Sequence, residues 1–413
     1  MKVYLDNAAT TRMDPDVVSF IRPFFEDVFG NPASIHCYGR EAMKHVEEAR
    51  SNLANCINAS ENEIVFTSGG TESDNLAILG IARSLKHKGK HIITSKIEHP
   101  AVLEACKQLE KEGYNVTYLP VSRDGVVNVD RLNETIRKET ILVSIMHVNN
   151  ETGSIQPIEE IGKVCRDNDV LFHTDAVQSF GKLNIDVKRM NIDLLSASAH
   201  KFHGPKGIGM LYVRDGLYLH PIMYGGHHEM GLRPGTLNVP GILGMMKAAE
   251  IAYKELDKTH AHIKRLSKKV VDGILGSIPE SYLNSPSPTD VDEGRDNRYT
   301  RWYPGVVNIR FSFIEGESLM LLLDKEGIAC STGSACASGS LEPSHVLLAM
   351  GLRPEQAHGS LRFSMSRFTS IDEIDYLLEK LPACVERLRK ISPFKNAEAL
   401  DRFIRKHHQR YKT

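Results

Sequence analysis

Through the first two thirds of the chain, short apolar runs rich in β-branched residues alternate with longer stretches of helical periodicity. Ile64-Val65-Phe66-Thr67 precedes a helix expected from about 71 to 87, and His91-Ile92-Ile93-Thr94 precedes one from about 100 to 112. Ile141-Leu142-Val143-Ser144-Ile145-Met146 precedes a third helix, from about 157 to 168. Val170-Leu171-Phe172-His173, Ile192-Asp193-Leu194-Leu195 and Ile208-Gly209-Met210-Leu211-Tyr212-Val213 follow as further strands. Strands spaced by helices of this length predict an α/β fold, a mostly parallel sheet with helices on both faces. In such sheets ligands bind beyond the carboxyl ends of the strands. The pattern changes near residue 255, in the charged helix Ala252–Lys258. A polar, Pro-rich excursion at about 284–304 follows, and a strand pattern resumes at Val306-Val307-Asn308-Ile309-Arg310-Phe311. With 413 residues, two domains are expected.

Composition narrows the class without changing that picture. Apolar residues make up 41% and charged residues 25%, as in globular proteins generally. The net charge of −1 gives no electrostatic case for nucleic acid or an acidic membrane as partner. No apolar run reaches the roughly 18 residues of a membrane span. Asp6 comes too early for a signal peptide, so a cytoplasmic protein is expected. The seven cysteines, at 37, 56, 106, 165, 330, 336 and 384, show neither CxxC nor Cys/His ligand spacing. This argues against a disulfide framework and a structural zinc site. Most are expected as packed thiols, Cys56 beside Val46, Ala49, Leu53 and Ile57.

Candidate chemistry centres on Lys201, in Ser198-Ala199-His200-Lys201-Phe202-His203-Gly204-Pro205-Lys206-Gly207. It sits among small residues after a strand-like run, and Asp175 ends the earlier run Phe172-His173-Thr174-Asp175. A lysine to form a Schiff base and a carboxylate to keep a pyridine nitrogen protonated are what pyridoxal phosphate (PLP) requires. Gly69-Gly70-Thr71 opens a helix after a strand, which suits the cofactor phosphate. The competing interpretation is that Thr71 merely caps its helix, with Glu72 and Asp74 favouring the first turn. Gln178 suits a bond to the ring hydroxyl oxygen, and Asn150 suits that oxygen or a substrate.

These features, with Tyr4-Leu5-Asp6-Asn7-Ala8-Ala9-Thr10-Thr11, Gly30-Asn31-Pro32-Ala33-Ser34, Glu98-His99, Asn149-Asn150-Glu151-Thr152-Gly153, Arg233-Pro234-Gly235-Thr236 and Thr332-Gly333-Ser334-Ala335-Cys336, resemble the NifS/IscS-type cysteine desulfurases of the class V aminotransferases. The motifs run in family order from residue 4 to about 393. The resemblance implies the PLP-dependent transferase fold type I. Its large PLP-binding domain, residues 13–255, has a seven-stranded-type, mostly parallel sheet. A smaller α+β domain, residues 1–12 plus 256–413, carries a catalytic cysteine loop at about 328–342.

It implies that L-cysteine is converted to L-alanine and a persulfide on Cys336, and that Lys201 and His99 share the proton transfers. Ser198 and His200 are implied to join Gly70 and Thr71 at the phosphate, as is Thr236 from the other subunit of a homodimer. Arg362 in His358-Gly359-Ser360-Leu361-Arg362-Phe363 is implied to hold the substrate carboxylate, assisted by Asn31 and Asn150, with Arg367 as the competing guanidinium. Cys330, in an apolar run, is the rival thiol and is expected to be a packed side chain.

No metal site is implied beyond a transient iron–sulfur ligand role for Cys336. Expected partners are a sulfur-acceptor or iron–sulfur scaffold protein, with no stable nucleic acid and no membrane. Selenocysteine lyase or another class V enzyme is the enzymatic alternative; an inactive sulfur-transfer scaffold is the alternative of a different class. The chain departs from housekeeping relatives at Ser392-Pro393-Phe394-Lys395-Asn396 and in the basic tail from Arg402 to Arg410.

Overall fold

The structure, a computed structural model, describes residues 1–286, 301–332 and 342–393. Most of the 284–304 excursion, the loop carrying Cys336 and the basic tail lie outside the described residues. The chain forms two compact units. The larger comprises Ala9–Asn150 and Ser154–His260; the smaller comprises Met1–Ala8, Glu151–Gly153 and Ala261–Thr413.

The strands in chain order are β1 (Val3–Tyr4), β2 (Ile64–Thr67), β3 (His91–Ser95), β4 (Asn115–Leu119), β5 (Thr140–Ser144), β6 (Leu171–Asp175), β7 (Leu194–Ser198), β8 (Gly209–Val213), β9 (Ser281–Leu283), β10 (Val306–Phe311), β11 (Ile328–Ala329) and β12 (Ser360–Ser364). In the larger unit β2 to β8 form one seven-stranded sheet of order β2-β8-β7-β6-β5-β3-β4. Only β8 runs antiparallel to its neighbours β2 and β7; the other pairings are parallel.

Nearly every residue of β2, β3, β5, β6, β7 and β8 is buried, which is why these strands show as unbroken apolar runs rather than alternation. Helix Cys37–Asn55 contributes Val46, Ala49 and Leu53 to the core on one side of the sheet, where Ile57 joins them and Cys56 packs half-buried. Helices Gly70–Leu85 and Pro100–Lys111 supply Leu76, Ile81, Val102 and Leu109 to a second core. β4, which the apolar pattern does not reveal, is the sheet's edge strand. Its residues are mostly half-exposed, so it carries no apolar run.

The smaller unit has an antiparallel sheet of order β12-β10-β9 and a parallel pair β1-β11. Val307, Ile309, Leu361 and Phe363 pack there with Leu319, Leu323, Ile374 and Leu377, from helices Gly316–Lys325 and Ile371–Ile391. Glu151–Gly153 belongs to this unit because its backbone is bound there. Asn308 Nδ2 donates to Glu151 O at 3.1 Å, and Tyr303 N donates to Gly153 O at 2.8 Å. Gly153 has φ +76°, and a Cβ there would sit 2.7 Å from Tyr303 O. Among the described residues, no helix is long and apolar enough to cross a membrane.

Candidate active site

The larger unit gathers its reactive groups where strands end and turns begin. Lys201 closes the single turn Ala199–Lys201 directly after β7, and its Nζ donates to Ala9 O at 2.8 Å. The turn is held by the N-terminal segment. Thr11 N and Oγ1 donate to His200 O at 3.0 and 2.9 Å, and Thr11 Oγ1 accepts from His203 N at 2.8 Å. His200 Nδ1 lies 3.1 Å from Thr10 Oγ1, and burial, with Lys201 nearby, pushes its imidazole down to about 4. Ser198, the last residue of β7, is buried.

Asp175 is the last residue of β6 and is buried. Burial raises its pKa; His99 and Lys201 nearby, and an amide hydrogen given by Val177 at 2.9 Å, work against that rise. The structure therefore brings His99 and Lys201 each within electrostatic reach of Asp175. His99 caps helix Pro100–Lys111, and its Nδ1 accepts from Ala101 N at 3.2 Å. That bond leaves Nε2 as the ring atom able to carry and pass a proton. Gln178, one turn beyond Asp175, is buried and accepts from Lys182 Nζ at 2.9 Å. Asn150 is half-buried at the end of the first segment of this unit.

Helix Gly70–Leu85 starts without any side-chain cap, and Gly69, φ +155°, occupies the cap position. Thr71 therefore does not cap its helix; it lies exposed in the first turn. A Cβ at Gly70 would sit 2.6 Å from Val177 Cγ2 and 3.8 Å from Ser198 Cβ. The uncapped helix start, the turn after β6 and the end of β7 thus meet around bare glycine backbone, whose N–H groups at a helix N-terminus suit a phosphate. A phosphate cradle, a buried carboxylate and an amine on a fixed turn fit PLP. Thr236 is exposed. Its segment is pinned by Arg233 Nε to Glu72 Oε1 at 3.0 Å, and nearby by the buried pair of Arg50 with Glu229, at 2.7 and 2.8 Å. Asn31 is exposed in a turn, its Oδ1 accepting from Ala33 N at 3.0 Å.

In the smaller unit Arg362 lies in β12, 3% exposed, and Nη2 donates to Asp6 Oδ1 at 2.8 Å. Arg367 lies half-buried over the Phe368 ring, 4.9 Å from its centroid. Glu151 is buried, accepts from Ser344 Oγ at 2.5 Å, and is pushed up to about 7 by burial despite Arg362 nearby. Cys330 is buried and its thiol is pushed up to about 12.

Several buried ionisable groups were not singled out from the sequence. Asp74 faces inward from helix Gly70–Leu85 rather than lying on its exposed first turn, and Glu98, Glu151 and His173 are buried as well. The available signal for Asp74 was its place on the same helical face as Ala77, Ile78 and Ile81. Among the described residues, no cluster of three or more His, Cys, Asp or Glu side chains could hold a metal ion.

The family model for aminotransferase class-V matches residues 3–377. The cysteine desulfurase IscS of Dictyoglomus turgidum is 50% identical over 394 residues, covering 95% of this chain and 97% of that protein. A cysteine desulfurase of Nostoc sp. is 49% identical over 397 residues, covering 96% of each. Among solved structures, a NifS-like protein superposes with a TM-score of 0.86 at 38% identity, covering 94% of this chain and all of that one. SspA in complex with cysteine superposes with a TM-score of 0.77 at 37% identity, covering 90% of this chain and 100% of that one.

Proposed function

We infer that this chain, which belongs to the aminotransferase class-V family, is a PLP-dependent cysteine desulfurase that takes sulfur from L-cysteine and releases L-alanine. The observation that carries the reading is Asp175, buried at the end of β6 with Lys201 and His99 acting on it. Lys201 holds the cofactor covalently; Asp175 keeps its ring nitrogen protonated. Gly70, Thr71, Ser198 and His200 hold the phosphate, and Gln178 and Asn150 serve the ring hydroxyl oxygen. When bound there, PLP supplies an electron sink for the substrate's Cα.

The remaining steps belong to the chain. Arg362 holds the substrate carboxylate as a charge-assisted pair, with Asn31 and Asn150 assisting. Once the substrate's amine has displaced it, the freed Lys201 amine removes the Cα proton, and Nε2 of His99 passes protons to and from the reacting groups. The Cys336 thiolate attacks the substrate sulfur. A new S–S bond forms, the sulfur–Cβ bond breaks with its electron pair left on carbon, and Cβ and then Cα each take up a proton to give alanine. The persulfide on Cys336 then passes to an acceptor protein, for iron–sulfur cluster assembly or tRNA thiolation. Cys336 could at that stage also ligate iron transiently.

Three of the described thiols are poor rivals to Cys336. Cys106 and Cys330 are both pushed up to about 12 and Cys56 to about 11, each chiefly by burial, so they are not thiolates at neutral pH. The enzyme acts as a homodimer, the exposed Thr236 completing the partner's phosphate site. Six described cysteines are free thiols, which supports a reducing cytoplasm.

Cys336→Ser tests the reading. It should still give a cysteine-induced change in the visible spectrum, because the amine chemistry at Lys201 does not use the thiol. Alanine and sulfide formation should fall to background, and no persulfide should appear by mass spectrometry on the peptide containing residue 336. Sustained alanine formation by this variant would refute the role of Cys336.

A further inference from the structure

Two more carboxyls lie near Asp175 and take no part in the chemistry above. Asp74 on helix Gly70–Leu85 is 1% exposed, and Glu98, just after β3, is wholly buried. Asp175 and Glu98 both act on Asp74 as like charges, and Asp175 acts so on Glu98. Three buried carboxylates within reach of one another do not all ionise, because each charge opposes the next.

Their surroundings are unequal. Asp175 has an amide hydrogen from Val177, with Lys201 and His99 also favouring its ionised form. Glu98 accepts from Met146 N at 3.1 and 3.0 Å and from Ser95 Oγ at 2.5 Å; burial still pushes it up to about 8. Among the described residues, Asp74 has no Lys or Arg partner. Its Oδ1 makes no hydrogen bond and lies 3.7 Å from Nε2 of His173. That imidazole is kept neutral by burial, which pushes it down to about 3. It is already engaged with Ser196 Oγ at 3.0 Å and Ser144 Oγ at 2.8 Å. Among the described residues, the Ser196 hydroxyl favours an ionised Asp74, against burial and two carboxyl neighbours. An anionic oxygen without a donor at this depth is far costlier than a neutral acid.

We propose that Asp74 is a positioning residue for Asp175: it keeps its own proton, so the pair's negative charge stays on Asp175, where the cofactor's ring nitrogen requires it. This rests on the reading of Asp175 given above. The arrangement carries a thermodynamic signature. In the unfolded chain an aspartate loses its proton near pH 4, whereas folded Asp74 retains it. The folded state then binds the extra proton, so stability falls as pH rises from about 4 until Asp74 itself titrates.

The test compares the PLP-loaded, full-length wild type with Asp74→Asn, both labelled with 13C at the aspartate side-chain carboxyl. Infrared spectra near neutral pH should show a label-sensitive C=O stretch of a protonated acid in the wild type, lost in Asp74→Asn and kept in Asp175→Asn. In unfolding measurements between pH 5 and 8, the wild-type unfolding constant should grow relative to that of Asp74→Asn by about tenfold per pH unit, the signature of one proton. Absence of the band in the wild type, its persistence in Asp74→Asn, or parallel pH curves would each overturn the proposal. The two inferences fail separately. Near-normal turnover of Asp175→Asn would remove the assigned role of Asp175 while the infrared band still located the Asp74 proton.

Discussion

The larger unit offers its reactive groups from turns, whereas the smaller offers its arginine from the middle of a strand. Lys201, Asp175 and His99 each stand within four residues of the last ladder position of β7, β6 or β3. There the backbone leaves the sheet, and a side chain can be aimed without being packed into a core. Arg362 instead has β10 beside it, Asn308 as its register partner, and Asp6 fixing its guanidinium. Groups that must gain and lose protons stand where burial and neighbouring charge can be balanced. The group whose task is only to present a charge is locked in place. The same contrast holds for acids. Asp175 has Lys201 and an amide donor beside it, while Glu151 in the smaller unit is raised to about 7 and rests on a serine hydroxyl.

The hardest break of this comparison is at Lys201. Lys201→Ala should abolish the visible absorbance of covalently held cofactor and reduce turnover to background, since it removes covalent attachment and proton transfer together. A variant that retained both the band and alanine production would place the reactive amine elsewhere. Asp175→Asn should come next. The amide preserves volume but cannot hold the ring nitrogen protonated, so PLP should still bind while turnover falls by about 10²–10³-fold, the usual size of one preorganised electrostatic contribution. Cofactor titration followed by a turnover assay separates the two effects; unimpaired turnover would contradict the assignment.

Most of the larger unit was legible in the sequence, because strands buried on both faces leave unbroken apolar runs and turns after them carry the chemistry. β4 was not legible, since an edge strand with a half-exposed face lacks such a run. In the smaller unit β12 was not legible either. Ser360, Arg362 and Ser364 are all buried, so polar residues occupy positions that hydrophobic patterning would assign to a core. Arg362 was reached only through resemblance, and its partner Asp6 lies 356 residues away in the chain. The attachment of Glu151–Gly153 to the smaller unit has no local signal, because it depends on Tyr303 and Asn308. Asp74 was misjudged for a related reason. An acid in the first helical turn ordinarily serves the helix dipole, and only the tertiary fold turns this one inward.

A milder substitution sharpens the locked side of the comparison. Arg362→Lys keeps a positive charge beside Asp6 but loses the planar fork, so KM for cysteine should rise by about tenfold or more with a smaller change in kcat. Steady-state kinetics with L-cysteine supply the check, and an unchanged KM would mean that Arg362 serves Asp6 alone.

The smallest effect should come from Cys330→Ser, which separates a packed thiol from a reacting one. Cys330 follows β11, is 8% exposed, and packs with Val3, Leu5 and Ile328 in the core of the smaller unit. Burial first, then the Asp6 carboxylate, pushes its thiol up to about 12, with Arg362 pulling the other way. At neutral pH such a group carries its proton and is a weak nucleophile, so its loss removes no step of the reaction. The cost is structural: a serine hydroxyl is nearly as small but needs a partner, and leaving it buried without one costs roughly 1–3 kcal/mol. Denaturant unfolding should register that loss with alanine production near wild type. A dead Cys330→Ser variant of unchanged stability would move the reacting thiol from the loop into the apolar core, where burial argues against a thiolate.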